Sequence, residues 1–236
     1  MKLHLVIFFI LNTIITYSQN LVPNGSFENI TSCPNSLSEL YKAVPWFNPL
    51  DSSLGSTPDI CNQCNSGIAG IPVNLGGHQN AIYGIGYAGI IVYYNTIPNR
   101  REYIQTPLKD SLTKNHYYKV GFFVSLGDTI QYAVNNLGIL FSTDSVKGTG
   151  YDVLPYTPQL ENTSISLTDK ENWTRLEWRY KATGGEQFIT IGCFRPDSLC
   201  DITFVGGTWA QSYYYIDSVY IFPDTCTTDT LVDASI

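Results

Sequence analysis

Six stretches of the chain alternate apolar and polar residues with a period of two, or run apolar without a break. They span 101–108, 117–126, 137–142, 173–182, 187–194 and 213–222. Turn residues close them, among them Lys109-Asp110-Ser111, Gly148-Thr149-Gly150 and Thr183-Gly184-Gly185. A period of two places alternate side chains on opposite faces of a strand. No amphipathic helix of useful length lies between these runs. Strands without helices bury their apolar faces by stacking sheet on sheet, so the expected fold is all-β, a single β-sandwich of jelly-roll type. Two stretches, 31–77 and 142–167, lack the pattern and read as long ordered loops or short irregular strands. No internal repeat is visible.

Residues 1–18 read as a secretory signal peptide. Lys2 and His4 give a polar start, residues 5–15 are apolar apart from Asn12 and Thr13, and Thr16 and Ser18 are the small residues of a cleavage site before Gln19. The apolar run falls short of the roughly 20 residues that span a bilayer. No later segment has the length and apolarity of a transmembrane helix, so the expected product is exported, secreted or displayed at the outer cell surface. The domain reading is signal peptide 1–18, jelly-roll sandwich 19–222 and a Thr- and Asp-rich, linker-like tail 223–236. A formal charge of −7 leaves no basic excess to neutralise a phosphate backbone, which excludes nucleic acid as the expected partner.

Six cysteines, Cys33, Cys61, Cys64, Cys193, Cys200 and Cys226, follow the leader. An even number on an exported chain points to disulfides, with the pairing open. Cys61-Asn62-Gln63-Cys64 also has the spacing of half a zinc site or of a redox dithiol. Zinc needs a second pair that neither Cys193/Cys200 nor the histidines supply, and a redox dithiol needs a helix start that this Asn-, Ser- and Gly-rich segment lacks.

The mature chain opens with Asn20-Leu-Val-Pro-Asn-Gly-Ser-Phe-Glu28, followed by Trp46, and closes with Tyr214-Tyr-Ile-Asp-Ser-Val-Tyr-Ile221. This pairing, with Trp173 and the strand after it, resembles carbohydrate-binding-module-like jelly rolls of galactose-binding-like architecture. Ser32-Cys-Pro34, Ile71-Pro-Val-Asn74, Arg101-Glu-Tyr-Ile-Gln105, Val124-Ser-Leu126 and Leu137-Gly-Ile-Leu-Phe-Ser142 resemble segments of exported Gram-negative bacterial surface proteins. Those proteins often join the module to a gliding-motility-type sorting domain or an outer-membrane-protein-A-like domain. Neither is legible in residues 1–236, which read as a truncated or stand-alone copy.

The resemblance implies a structural Ca²⁺ where the first and last strands meet, at Glu28 and Asp217. Calcium takes six to eight oxygens, and Ser218 stands where the family often has a second Asp. The alternative is that Glu28 caps a turn and Asp217 accepts backbone hydrogen bonds. A sugar site needs exposed aromatic faces beside groups that bind hydroxyls. Trp46, Trp173 and Phe188 sit at scaffold positions. Trp209 follows Gly206-Gly-Thr208 in a loop, Tyr93 and Tyr94 adjoin Asn95, and Arg101, Tyr103 and Gln105 share one face of a strand by alternation. These six are the candidate ligand residues.

Catalytic patterns are weak. Gly127-Asp-Thr129 places Thr where an esterase-like motif has its nucleophile, and His78 lies in a Gly-rich turn. No acid pair can be picked out for glycoside hydrolysis. The expected function is non-catalytic binding of a glycan. The alternative is a structural or adhesive protein contacting other cell-surface components. Acids clustered in a cleft would instead point to an enzyme.

Overall fold

A computed structural model describes residues 19–51, 53 and 55–224. The expected signal peptide at 1–18, Cys226 and all but the first two residues of the expected tail at 223–236 lie outside them. Among the described residues no helix is long and apolar enough to cross a membrane.

The strands are β1 (Asp59–Asn62), β2 (Val73–Asn74), β3 (Gly77–His78), β4 (Gly86–Tyr94), β5 (Ile104–Pro107), β6 (Tyr117–Leu126), β7 (Tyr132–Val134), β8 (Gly138–Ser142), β9 (Leu160–Glu161), β10 (Thr174–Lys181), β11 (Phe188–Gly192), β12 (Ile202–Phe204) and β13 (Gln211–Pro223). A five-stranded antiparallel sheet in the order β1-β4-β13-β6-β10 faces a four-stranded one in the order β5-β11-β8-β9. Two ribbons, β12-β7 and β2-β3, lie outside the sandwich. The chain is a jelly-roll β-sandwich, as its alternating runs predict.

Alternation decides which side chains enter the core. Ile60, Ala88, Ile90, Tyr214, Ile216, Phe122, Val124 and Leu176 come from the five-stranded sheet, and Ile104, Ile139, Ile189 and Ile191 from the other. Burying an aliphatic side chain of this size stabilises by about 1.5–3 kcal/mol, so this layer dominates the folding energy. The chain start is stitched beside its end: Leu21 N–H donates to Ile221 O at 2.9 Å and Val219 N–H to Gly25 O at 2.8 Å. Trp46 packs on Phe27 with ring centroids 5.0 Å apart and donates its indole N–H to Asn24 O.

All six predicted runs contain a strand. β4, at the heart of the larger sheet, carries no period-two pattern because it is covered on both faces and holds two glycines. Gly89 is required there because the Tyr213 ring lies across it, and Gly86 because Phe27 O approaches to 2.7 Å of where a Cβ would stand. The closing strand runs one residue further than expected, to Pro223, and Asp224 N–H donates to Tyr117 O.

The 142–167 stretch is an ordered loop with one short strand, β9, as its lack of periodicity implies. It contributes Val146 and Leu154 to a second apolar cluster with Leu50, Tyr103, Leu140 and Phe194 on the outer side of the four-stranded sheet. That side is therefore interior. In the 31–77 stretch, Cys33 and Cys64 form a disulfide with 31 residues of separation. In the chain-entropy account it contributes roughly 3–4 kcal/mol. Cys61 is a buried free thiol, and Cys193 and Cys200 are free as well.

Candidate functional site

The outer side of the five-stranded sheet carries a pocket of about 240 Å³. Neighbouring strands set its floor: Asp59 of β1 pairs with Gly89 of β4, and Tyr213 of β13 with Ile91 of β4. Asp59, Tyr213 and Gln211 line that floor, and Tyr94, Arg100 and Trp209 its walls. Trp209 remains 40% exposed.

Its loop is held by its backbone and by one cation. Trp209 N–H donates to Thr129 O, and Gln131 N–H donates to Trp209 O, both at 2.9 Å. Lys170 Nζ donates to Asp128 O, Ile130 O and Gly206 O at 3.1, 2.8 and 2.7 Å, joining the 128–130 turn to the Trp209 loop. Opposite, the Arg100 guanidinium lies 5.1 Å from the Tyr94 ring centroid and donates to Gly55 O. The wall from the β2-β3 ribbon is set by Asn74, which accepts from Tyr215 Oη at 2.6 Å and donates to Tyr87 Oη at 2.8 Å.

Two carboxyl groups lie beneath the pocket, a feature the sequence does not disclose. Asp59 accepts from Ser38 N–H and, at 2.7 Å, from Tyr213 Oη. Glu102 accepts from Thr57 N–H and Ile91 N–H at 2.9 and 2.8 Å. Every oxygen of the pair accepts from a protein donor, and both residues line the pocket. Burial, and then the Glu102 charge, push Asp59 up to about 7, and burial also raises Glu102.

The two candidate calcium residues both accept backbone N–H groups. Glu28 accepts N–H groups of Ile85 and Gly86, while Asp217 accepts those of Ile82, Tyr83 and Ser218. Both carboxylates thus fasten one loop, 82–86, from its two ends. Gly84, at φ +71°, lets the backbone approach Glu28. Among the described residues no three acid, His or Cys side chains gather. Burial pushes Asp217 up to about 7.

These acids set a pH dependence. Asp59, Glu102 and Asp217 hold protons in the fold at pH values where an unfolded carboxyl, near pKa 3.9–4.3, has released them. The folded state binds more protons, so stability falls as pH rises from about 5 through 7. Asp169, drawn down by the Asn172 N–H, acts the opposite way but only below about pH 4. We expect the urea midpoint to correspond to a loss on the order of 5 kcal/mol between pH 5 and pH 8. Asp59→Asn should flatten that slope; an equal slope in the variant would remove Asp59 as a cause.

The other candidates are distributed unevenly. Tyr94 and Trp209 reach the pocket. Tyr93 points elsewhere, edge-on to Tyr132 at 5.4 Å, with its hydroxyl donating to Asn95 Oδ1. Arg101, Tyr103 and Gln105 are fully buried, a correction to the groove expected from their alternation. Tyr103 Oη donates to Cys193 O and accepts from Leu154 N–H, and Gln105 Nε2 donates to Thr190 Oγ1 at 2.7 Å. They do share a face, but the 142–167 segment covers Tyr103 and Gln105, and the 195–200 loop covers Arg101.

No protein-family model matches the sequence, and no curated protein matches it. Among solved structures the chain is similar to the CBM22-1 xylan-binding domain of Xyn10C from Paenibacillus barcinonensis, at 14% identity over 89% of this chain and 97% of that one, TM-score 0.42. It is similar to the K2 cleaved adhesin domain of Lys-gingipain at 10% identity over 85% and 96%, TM-score 0.46. A third, TmCBM61 in complex with β-1,4-galactotriose, has 14% identity over 88% and 100%, TM-score 0.37. What this chain binds has to be argued from its own pocket.

Proposed function

We propose that the protein is an exported, non-catalytic glycan-binding module whose sugar enters the pocket between Trp209 and Tyr94. The observation that carries the reading is Trp209: a large ring left 40% exposed at the wall of a concave site with a polar floor. An indole face covers the C–H side of a sugar ring, while Asp59, Gln211 and Asn74 lie where hydroxyls would be met. The volume is below the ~300–1,000 Å³ of drug-sized sites, which suits one sugar residue or a chain end better than a long stretch. A formal charge of −7 favours a neutral glycan over a uronate. The Cys33–Cys64 disulfide accords with export.

Affinity electrophoresis against a panel of soluble neutral and acidic polysaccharides tests this. Retardation by a neutral polymer, with no reducing ends released from it, is the expected result. Release of reducing ends would turn attention to Asp59 and Glu102 as reacting groups. A second reading, adhesion to another protein, is favoured by six exposed apolar side chains: Ile68, Val73, Leu75, Ile82, Tyr83 and Ile85. Absence of retardation across the panel would overturn the glycan and leave that surface as the working site.

A further inference from the structure

Cys193 and Cys200 flank the connection between β11 and β12. Their sulfurs stand 3.4 Å apart, in contact but unbonded. Cys193 is buried, whereas Cys200 is partly exposed. Their surroundings hold the two ends of this connection together. Arg101 Nη2 donates to Cys200 Sγ at 3.4 Å and to Arg195 O at 2.6 Å. Asp197, midway between the cysteines, pairs with Arg101 Nη2 at 2.8 Å and accepts the Asn99 N–H at 2.7 Å. Its own N–H returns to Asn99 Oδ1. The loop is thus fastened to residues 99–101 with its two sulfurs facing each other beside a buried cation.

We infer that Cys193 and Cys200 are the partners of a second disulfide, closed by exchange with an external disulfide oxidant entering at Cys200. Closure asks the sulfurs to move from 3.4 Å to ~2.05 Å, a shift within a loop already pinned at its centre. The site also favours the reaction electrostatically. The hydrogen bond from the Cys200 thiol first, and the Arg101 guanidinium after it, outweigh burial and bring Cys193 down to about 7, while the second proton of the pair is held more tightly. One thiolate is therefore shared across the S–H···S contact near neutral pH.

With the charge on the accessible Cys200, its sulfur attacks the oxidant disulfide, forming a mixed disulfide and releasing one thiolate that takes a proton from water. Cys193 then gives its proton to solvent and attacks Cys200 Sγ, expelling the second thiolate. Two protein thiols are oxidised and one external disulfide is reduced to two thiols. Cys61 has no such route. It is buried on β1, its sulfur is not paired, and burial pushes its thiol well up.

The test uses the full chain treated with oxidised glutathione, alkylated in denaturant and mapped by mass spectrometry without reduction. The expected result is a fragment spanning 193–200 that is lighter by two hydrogens and carries no alkyl group, while Cys61 is fully alkylated. The same linkage is expected in the Cys61→Ser/Cys226→Ser protein, where no other free thiol competes. Complete alkylation of both Cys193 and Cys200 beside an intact Cys33–Cys64 bond would overturn the assignment. So would a bond from either one to Cys226, or a stable glutathione adduct on Cys200.

Discussion

Trp209→Ala is expected to weaken glycan binding by at least about thirtyfold, ~2 kcal/mol, and to leave the fold nearly untouched. The two effects separate because of how the residue is held. Its main chain is anchored by the bonds to Thr129 and Gln131, and its loop by the Lys170–Gly206 contact, none of which uses the indole. The ring itself is 40% exposed, so truncation removes only part of a buried side chain's worth. The stability loss should stay near 1 kcal/mol, or ~2–4 °C in Tm for a chain of this size. Titration calorimetry with the retarding polysaccharide and a thermal melt of the same sample measure both quantities. Unchanged affinity would remove Trp209 from the site. A collapse of Tm with binding retained in the folded fraction would assign the ring to the core.

The contrast between Trp209 and the 101–105 strand shows what a sequence can disclose about such a site. Alternation correctly put Arg101, Tyr103 and Gln105 on one face, because the period of a strand is a local property. Whether that face meets water depends on the 195–200 loop over Arg101 and on the 142–167 segment, which folds over Tyr103 and Gln105 from far along the chain and has no periodic signal of its own. Trp209 was legible for a different reason: it follows Gly206-Gly207-Thr208 and precedes Ala210-Gln211-Ser212, a stretch that reads as a loop. The remaining pocket residues come from separate segments, Ser38, Thr57, Asp59, Asn74 and Arg100 among them, brought together by the sheet register and by the loops packed on it. Glu28 and Asp217 could be singled out from the sequence only through the family resemblance. Their partners turned out to be backbone N–H groups of the 82–86 loop, which carries no motif. The strands were easiest to read where one face is polar, as in β10, and hardest in β4, where both faces are covered.

Arg101→Ala should give the opposite signature to Trp209→Ala, a loss of about 3–4 kcal/mol in folding stability. The guanidinium is fully buried, and it carries the 2.8 Å ion pair with Asp197 together with bonds to Arg195 O and Arg100 O. Truncation strips the 193–200 loop of its central anchor, removes the strongest donor to Arg195 O, and opens a cavity beside the core thiol of Cys193. Arg101→Lys keeps the charge but loses the planar fork that reaches several acceptors at once, so it should recover only part of the loss. Urea denaturation of the three proteins, read by tryptophan fluorescence, ranks them. Glycan affinity measured well below the melting transition should change far less than in Trp209→Ala, because Arg101 does not line the pocket. The neighbouring Arg100 does line it, so any residual loss of affinity should be reproduced by Asp197→Asn, which loosens the same segment without touching either arginine. If Arg101→Ala instead kept its stability and lost its ligand, the covered face of the four-stranded sheet would have to open in solution, and the binding groove would lie there.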